Sequence, residues 1–240
     1  MQVVLLRVGI DTGSGGIVGP AFKNGSFEYI PIPDNTQDRG IDKRTYGNTY
    51  GRHGARLVDY FPERRREAMH GQSIHFDPEF ETFTYGDPTI PKVSLKGLAA
   101  GSLLVFYAGL KGWGFECKPA LYIIGYFVVA HAGLATSFTG VELRRLFRNN
   151  FHVKHGEVFD DQKEFLVLVK GGKGSRLLKK AVRISSVGED RIGRPIYLVS
   201  RKMRSVFGSF DGRTCIQRCP PRWVAPEFTD RALRFLRSLR

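Results

Sequence analysis

Two apolar runs constrain this chain's fold more than any other feature: SLLVFYAGL (102–110) and ALYIIGYFVVA (120–130). Both are rich in β-branched and aromatic residues and are joined through the glycine- and lysine-containing stretch 111–118, so they are expected to be neighbouring buried strands. Residues 119–141 carry no Lys, Arg, Asp or Glu, a length that could span a bilayer. Glycines, a central His131 and a polar Thr-Ser-Phe-Thr end argue instead for a buried strand followed by a turn.

The remaining pattern is that of a mixed fold. VVLLRVGI (3–10) is expected to be a strand, and FEYIPIP (27–33) a second, held to a sheet edge by its prolines. Residues 34–54 are polar and turn-rich, a long loop of the kind that carries function. A short helix interrupted at Pro62 covers 55–69, and SIHFD (73–77) is a strand ending at Asp77-Pro78. The chain then turns at Gly86-Asp87-Pro88. Thr139 and Glu142 have the spacing of a capping box, which starts a helix running to about Asn150. EFLVLVK (164–170) and RPIYLVS (194–200) are strands, whereas KGGKGSRLLKKAVRIS (170–185) is expected to turn and then run helical. A helix closes the chain at 227–240, with Arg231, Arg234, Arg237 and Arg240 beside its apolar face. No linker or repeat divides the 240 residues. One β-rich α+β domain with flanking helices, spanning 1–240, is the expectation.

Charge points to the partner. The net charge is +14, and it is unevenly placed. Residues 1–140 hold 14 Lys and Arg against 13 Asp and Glu, while residues 141–240 hold 23 against 10. Arg outnumbers Lys 24 to 13, which suits bidentate phosphate contacts. A chain of this kind favours a polyanion, with DNA ahead of RNA and a membrane surface rejected. The near-neutral part is left to hold a base pocket. The run Val3–Leu6 is too short for a secretory signal and is followed by Arg7, so a reducing, cytoplasmic setting is expected for Cys117, Cys215 and Cys219. Cys215 and Cys219 have the spacing of a zinc half-site, but no second half accompanies them. No metal ligand set, cofactor or oligomeric state is assigned from sequence.

Several short motifs could carry chemistry. Asp11-Thr12-Gly13-Ser14 matches the active-site tetrapeptide of pepsin-like proteases, but that chemistry needs two carboxylates sharing a proton and there is one copy. The same stretch looks like the first phosphate loop of the actin and sugar-kinase ATPases, without their further glycine motifs. The simpler expectation is that Asp11 caps the loop after a buried strand. KGGKGS (170–175) lacks the ending of the nucleotide-binding consensus, yet its glycines would let backbone amides approach an anion. Lys170, Lys173, Ser175, Arg176 and Lys179, with Arg7 and Lys92, form the expected phosphate-binding set. His75 and Asp77 alternate across one residue, so a strand projects both from one face. With a distal histidine from His131, His152 or His155 they would resemble the facial triad of non-haem iron oxygenases. A core histidine and a turn-capping aspartate are the commoner arrangement. Asp11, His75, Asp77 and Asp87 are the candidates for acid–base chemistry. Trp113 sits among Gly109, Gly112 and Gly114, an unusual place for a purely structural tryptophan, and with Tyr107 and Tyr126 it is a candidate for stacking a base.

Two family resemblances follow from these segments. LKGLAAGSLLVFYAGL followed by ALYIIGYFVVAHAGLA looks like the core of the PUA-like superfamily, its EVE and ASCH branches in particular, although Ser102 stands where Asp is usual. That resemblance implies a small β-barrel element holding a modified or flipped base. RVGIDTGSGGIVGP, YIPIPD, HFDPEFETFTYGD, LLVFYAGL and KGGKGSRLLKKAV together resemble the nucleotide modification associated domain of the third type. It implies a role in base modification and supplies no catalytic residues to carry over. The combined expectation is a protein that binds nucleic acid and modifies a base, or a non-catalytic reader of modified bases.

Overall fold

The structure, a computed structural model, describes residues 1–36, 43–210, 212–217 and 220–239. The first half holds β1 (Val3–Arg7), β2 (Gly19–Ala21), β3 (Ile32–Pro33), α1 (Glu63–His70), β4 (Ile74–His75) and β5 (Thr84–Asp87). Next come β6 (Leu103–Gly112), β7 (Ala120–Leu134), α2 (Gly140–Phe147), α3 (Phe151–Lys154) and α4 (Gly156–Gln162). The last part holds β8 (Val167–Gly171), β9 (Arg176–Arg183), β10 (Ser185–Glu189) and β11 (Pro195–Val199). It ends with α5 (Arg201–Phe207), β12 (Arg222–Trp223) and α6 (Pro226–Ser238).

The two apolar runs form the centre of an eight-stranded sheet ordered β12-β1-β6-β7-β8-β5, with β2 added to β6 and β9 to β7. Strand β6 lies parallel to β1 and antiparallel to β7. The charge-free segment is therefore largely spent on the fifteen-residue β7, and no helix among the described residues is long and apolar enough to cross a membrane. The path ends at β12 and β5 without closing, so the described residues show a mixed α/β domain with a large open sheet. A closed PUA-like barrel is not found. Strand composition dictates local pairing, but closure depends on tilt and stagger accumulated over the whole sheet.

Packing follows from the burial of that sheet. Val3–Leu6, Leu103–Tyr107 and most of β7 lie in one apolar cluster, which α6 joins through Ala232, Leu233 and Leu236. A second cluster, with Ile10, Tyr46, Leu57, Tyr60, Phe61 and Ile74, gives the end of the long loop and the segment that follows it a small core of their own. Strands β8, β9 and β12 come from the basic last hundred residues yet pair with β5, β7 and β1 of the near-neutral part. The charge division is thus not a division of the fold.

Three local expectations are corrected. Residues 176–183 form strand β9, not a helix, because pairing with Tyr122–Tyr126 of β7 outweighs the helix preference of Leu, Lys and Ala. The 27–33 segment is regular only at Ile32–Pro33. The helix from the Thr139 capping box stops at Phe147. Asn150 then caps a new helix, its side chain accepting from the His152 amide at 3.1 Å.

Candidate functional site

Parallel pairing brings the C-terminal ends of β1 and β6 to the same edge of the sheet. A cleft of about 1650 Å³ opens there. It collects Arg7, Asp11, His75, Asp77, Asp87, Lys92 and Trp113 from the sequence candidates and adds His152.

Its buried end is a cluster of His75, Asp77 and His152, whose ligand-type atoms all lie within 4.8 Å of one another. The Asp77 carboxylate stands 3.9 Å from His75 Nε2 and 3.4 Å from His152 Nε2. Side-chain exposure is 16% for His75 and 5% for each of the other two. Strand β4, paired to β3 with His75 opposite Ile32, positions the first imidazole. Phe151 stacks on it at 3.7 Å between centroids and 25° between planes. The Gly86 amide on β5 donates to both Asp77 oxygens, at 2.9 and 3.1 Å. His152 Nδ1 meets Gln162 Oε1 at 2.7 Å, so Nδ1–H donates there and Nε2 is turned toward the cluster.

Burial sets the protonation preferences. It pushes Asp77 up to about 7, against the opposing pull of the His152 imidazole 3.4 Å away and of the Gly86 amide hydrogen bond. Burial first, then the nearby His152 and His155, hold His75 well below the ordinary histidine range. Burial also opposes charge on His152, but the neighbouring Asp77 carboxylate and the Gln162 bond outweigh that and raise its pKa.

The rest of the cleft is built from firmer pairs. Asp87 accepts from Tyr85 Oη at 2.9 Å and from Lys92 Nζ at 3.2 Å. Arg7 lies 3.4 Å from Asp11, whose Oδ1 also accepts from the Gly13 and Ser14 amides at 2.7 and 2.9 Å. That is an Asx turn, a loop-shaping use of Asp11. Trp113 stands at the rim, 41% exposed, with its edge on Tyr60 at 5.3 Å. Exposed Lys111 lines the same rim.

Other sequence candidates lie elsewhere. Tyr107 and Tyr126 are core residues of the central strands, at 0% and 2% exposure, and Tyr107 donates to the Ile216 carbonyl at 3.0 Å. Lys170 donates to the Thr82 carbonyl, and burial lowers its pKa. In the 170–175 turn, the Gly171 and Gly172 amides bond to Phe83 and Val128 carbonyls. The Ser175 hydroxyl accepts from the Val128 amide at 2.9 Å. Arg176 is half-buried over Tyr126 and donates to the Leu239 carbonyl at 3.4 Å, while Lys173 and Lys179 are exposed. Of the distal histidines, His152 reaches the cluster. Cys219 lies outside the described residues, and Cys215 is a free thiol.

Gly86 is a positioning residue that sequence reasoning missed. A Cβ there would come 2.9 Å from His152 Cδ2 and 3.0 Å from Asn150 Oδ1. Gly86→Ala is therefore expected to cost about 1–3 kcal/mol by overpacking. A thermal melt checks this; an unchanged Tm would mean that the ring and the Asn150 cap yield freely.

Comparison with known proteins gives a family match. No curated protein and no solved structure matches the chain. The model of the family described as Nucleotide modification associated domain 3 matches residues 2–214, taking in His75, Asp77 and His152 of the cluster and Lys111 and Trp113 of the cleft rim. The chain belongs to the nucleotide modification associated domain 3 family.

Proposed function

We propose that the protein binds a nucleotide unit of nucleic acid in this cleft and modifies its base. One observation carries the reading: a single cleft lined both by an exposed tryptophan and by two imidazoles around a buried carboxylate. The family's association with nucleotide modification supports it. Base recognition alone would not call for a buried His-Asp-His cluster, whose assembly costs desolvation. A base drawn out of the stack would lie on Trp113 and direct its edge toward the cluster. Lys111 beside it would meet the nucleotide's phosphate. DNA is the proposed polymer, held along the basic surface of residues 141–240.

Trp113→Ala tests the stacking half. It is expected to weaken binding of a single-stranded oligonucleotide by about 1–3 kcal/mol, measured by fluorescence anisotropy, with little change in salt dependence. Unchanged affinity together with a large fall in Tm would make Trp113 a packing residue and remove the platform from the reading.

A further inference from the structure

We infer that His75, Asp77 and His152 bind a single divalent first-row transition metal ion, Zn²⁺ or Fe²⁺, with its open coordination positions facing the cleft. The inference rests on the reading of the cleft for the ion's use, though not for its binding.

Geometry is the first argument. Ligand atoms about 2.0–2.2 Å from a common ion lie roughly 3–3.6 Å from one another. The separations from the carboxylate are 3.4 and 3.9 Å, and all three ligand atoms lie within 4.8 Å of one another. The carboxylate edges thus need a few tenths of an ångström, and the two imidazoles at most about 1.2 Å of approach, to close the set. A proton shared directly between Asp77 and His152 would instead draw the atoms to about 2.7–2.9 Å.

Unmet valence is the second. His75 Nε2 is buried and makes no hydrogen bond, a costly state for an imidazole nitrogen. The Gln162 bond to His152 Nδ1 turns Nε2 toward the Asp77 oxygen. Two imidazole nitrogens thus face one carboxylate across a gap, and a cation bound between them, with both nitrogens unprotonated, satisfies all three.

Outer-shell support is the third. Metal-binding histidines characteristically donate their other N–H to a fixed acceptor, and ligating carboxylates are themselves hydrogen-bonded. Gln162 plays the first part for His152 and the Gly86 amide the second for Asp77. Phe151 fixes the plane of the His75 ring. Two imidazoles and a carboxylate select transition ions over Mg²⁺ and Ca²⁺, which prefer all-oxygen sets. Three protein ligands leave room for water or a substrate atom on the cleft side.

The test is a Co²⁺ titration of the full chain after chelation, without oxygen, followed by competition with Zn²⁺, Fe²⁺ and Mg²⁺. The expected result is one equivalent of Co²⁺ with visible ligand-field bands and a raised Tm, displaced by Zn²⁺ or by an excess of Fe²⁺ and not by the same excess of Mg²⁺. Metal content of protein isolated from cells tells which of the two is resident. His152→Ala abolishes the bands, and Gln162→Leu, which leaves all three ligands in place, lowers affinity about 10- to 100-fold. Circular dichroism checks that each variant is folded. Wild-type protein that gains neither bands nor Tm, or binds Co²⁺ no more tightly than His152→Ala, overturns the site. Base stacking on Trp113 without metal binding would keep the proposed function and discard the metal; metal binding without nucleotide binding would do the reverse.

Discussion

Asp77→Asn is expected to remove base-directed activity, by at least the 10²–10⁴-fold that a positioned acid or base contributes. The substitution keeps the side chain's shape and an oxygen for the Gly86 amide, so the fold should survive with a small change in Tm. What it removes is the negative charge between two imidazoles at 3.4 and 3.9 Å, which either a bound ion or a transferred proton requires. Asp11→Asn is the contrasting variant. Its carboxylate shapes a turn through the Gly13 and Ser14 amides, and the expected loss is smaller and appears mainly in stability. Turnover of folded Asp77→Asn at the wild-type rate would remove the cluster from the chemistry.

The second large effect concerns affinity. If about four side chains of the basic region neutralise phosphates on duplex DNA, log affinity should fall against log salt with a slope near −3.6. The structure refines which side chains to remove. Arg176 donates to the Leu239 carbonyl, whereas Lys173, Lys179 and Lys180 are exposed. Changing those three lysines to alanine should flatten the slope by roughly 2–3 units. Binding should weaken alike for all sequences, because phosphate contacts position without specifying. Arg144, Arg145 and Arg148 on and just after α2, and Arg231, Arg234 and Arg237 on α6, are also exposed; Arg240 lies outside the described residues. A slope unchanged in the triple variant would move the phosphate contacts to those arginines.

How much of this was legible in the sequence depended on how local the physics was. Strands β6 and β7 could be read directly, because an apolar run bounded by glycine and lysine has few other solutions. The Thr139–Glu142 capping box was equally local, and its reciprocal bonds are present at 3.2 and 2.8 Å. His75 and Asp77 could be paired from their spacing, but the expected 73–77 strand ends at His75; Asp77 lies beyond it in a bend, where the Gly86 amide holds its carboxylate. The third member, His152, could not be chosen over His131 and His155. It reaches the cluster because Asn150 caps α3 and because Gly86, far back in the chain, leaves space for the ring. An asparagine three residues past the end of α2 was the available signal, and it was absorbed into one long helix. Strand β9 was misread for a similar reason: its residues favour a helix in isolation, and the edge of β7 that captures them is distant in sequence. Tyr107 and Tyr126 illustrate the opposite limit. Their composition suits stacking, but the central strands that carry them are covered on both faces.

The most direct test of base modification in the cleft is mass analysis of nucleosides from DNA and RNA of cells making the protein, beside cells making Asp77→Asn at equal level. The account predicts a nucleoside of altered mass, or depletion of a standard one, in DNA with the wild-type chain and not with the variant. Identical nucleoside profiles in both nucleic acids, with wild type and variant alike folded and expressed, would contradict it.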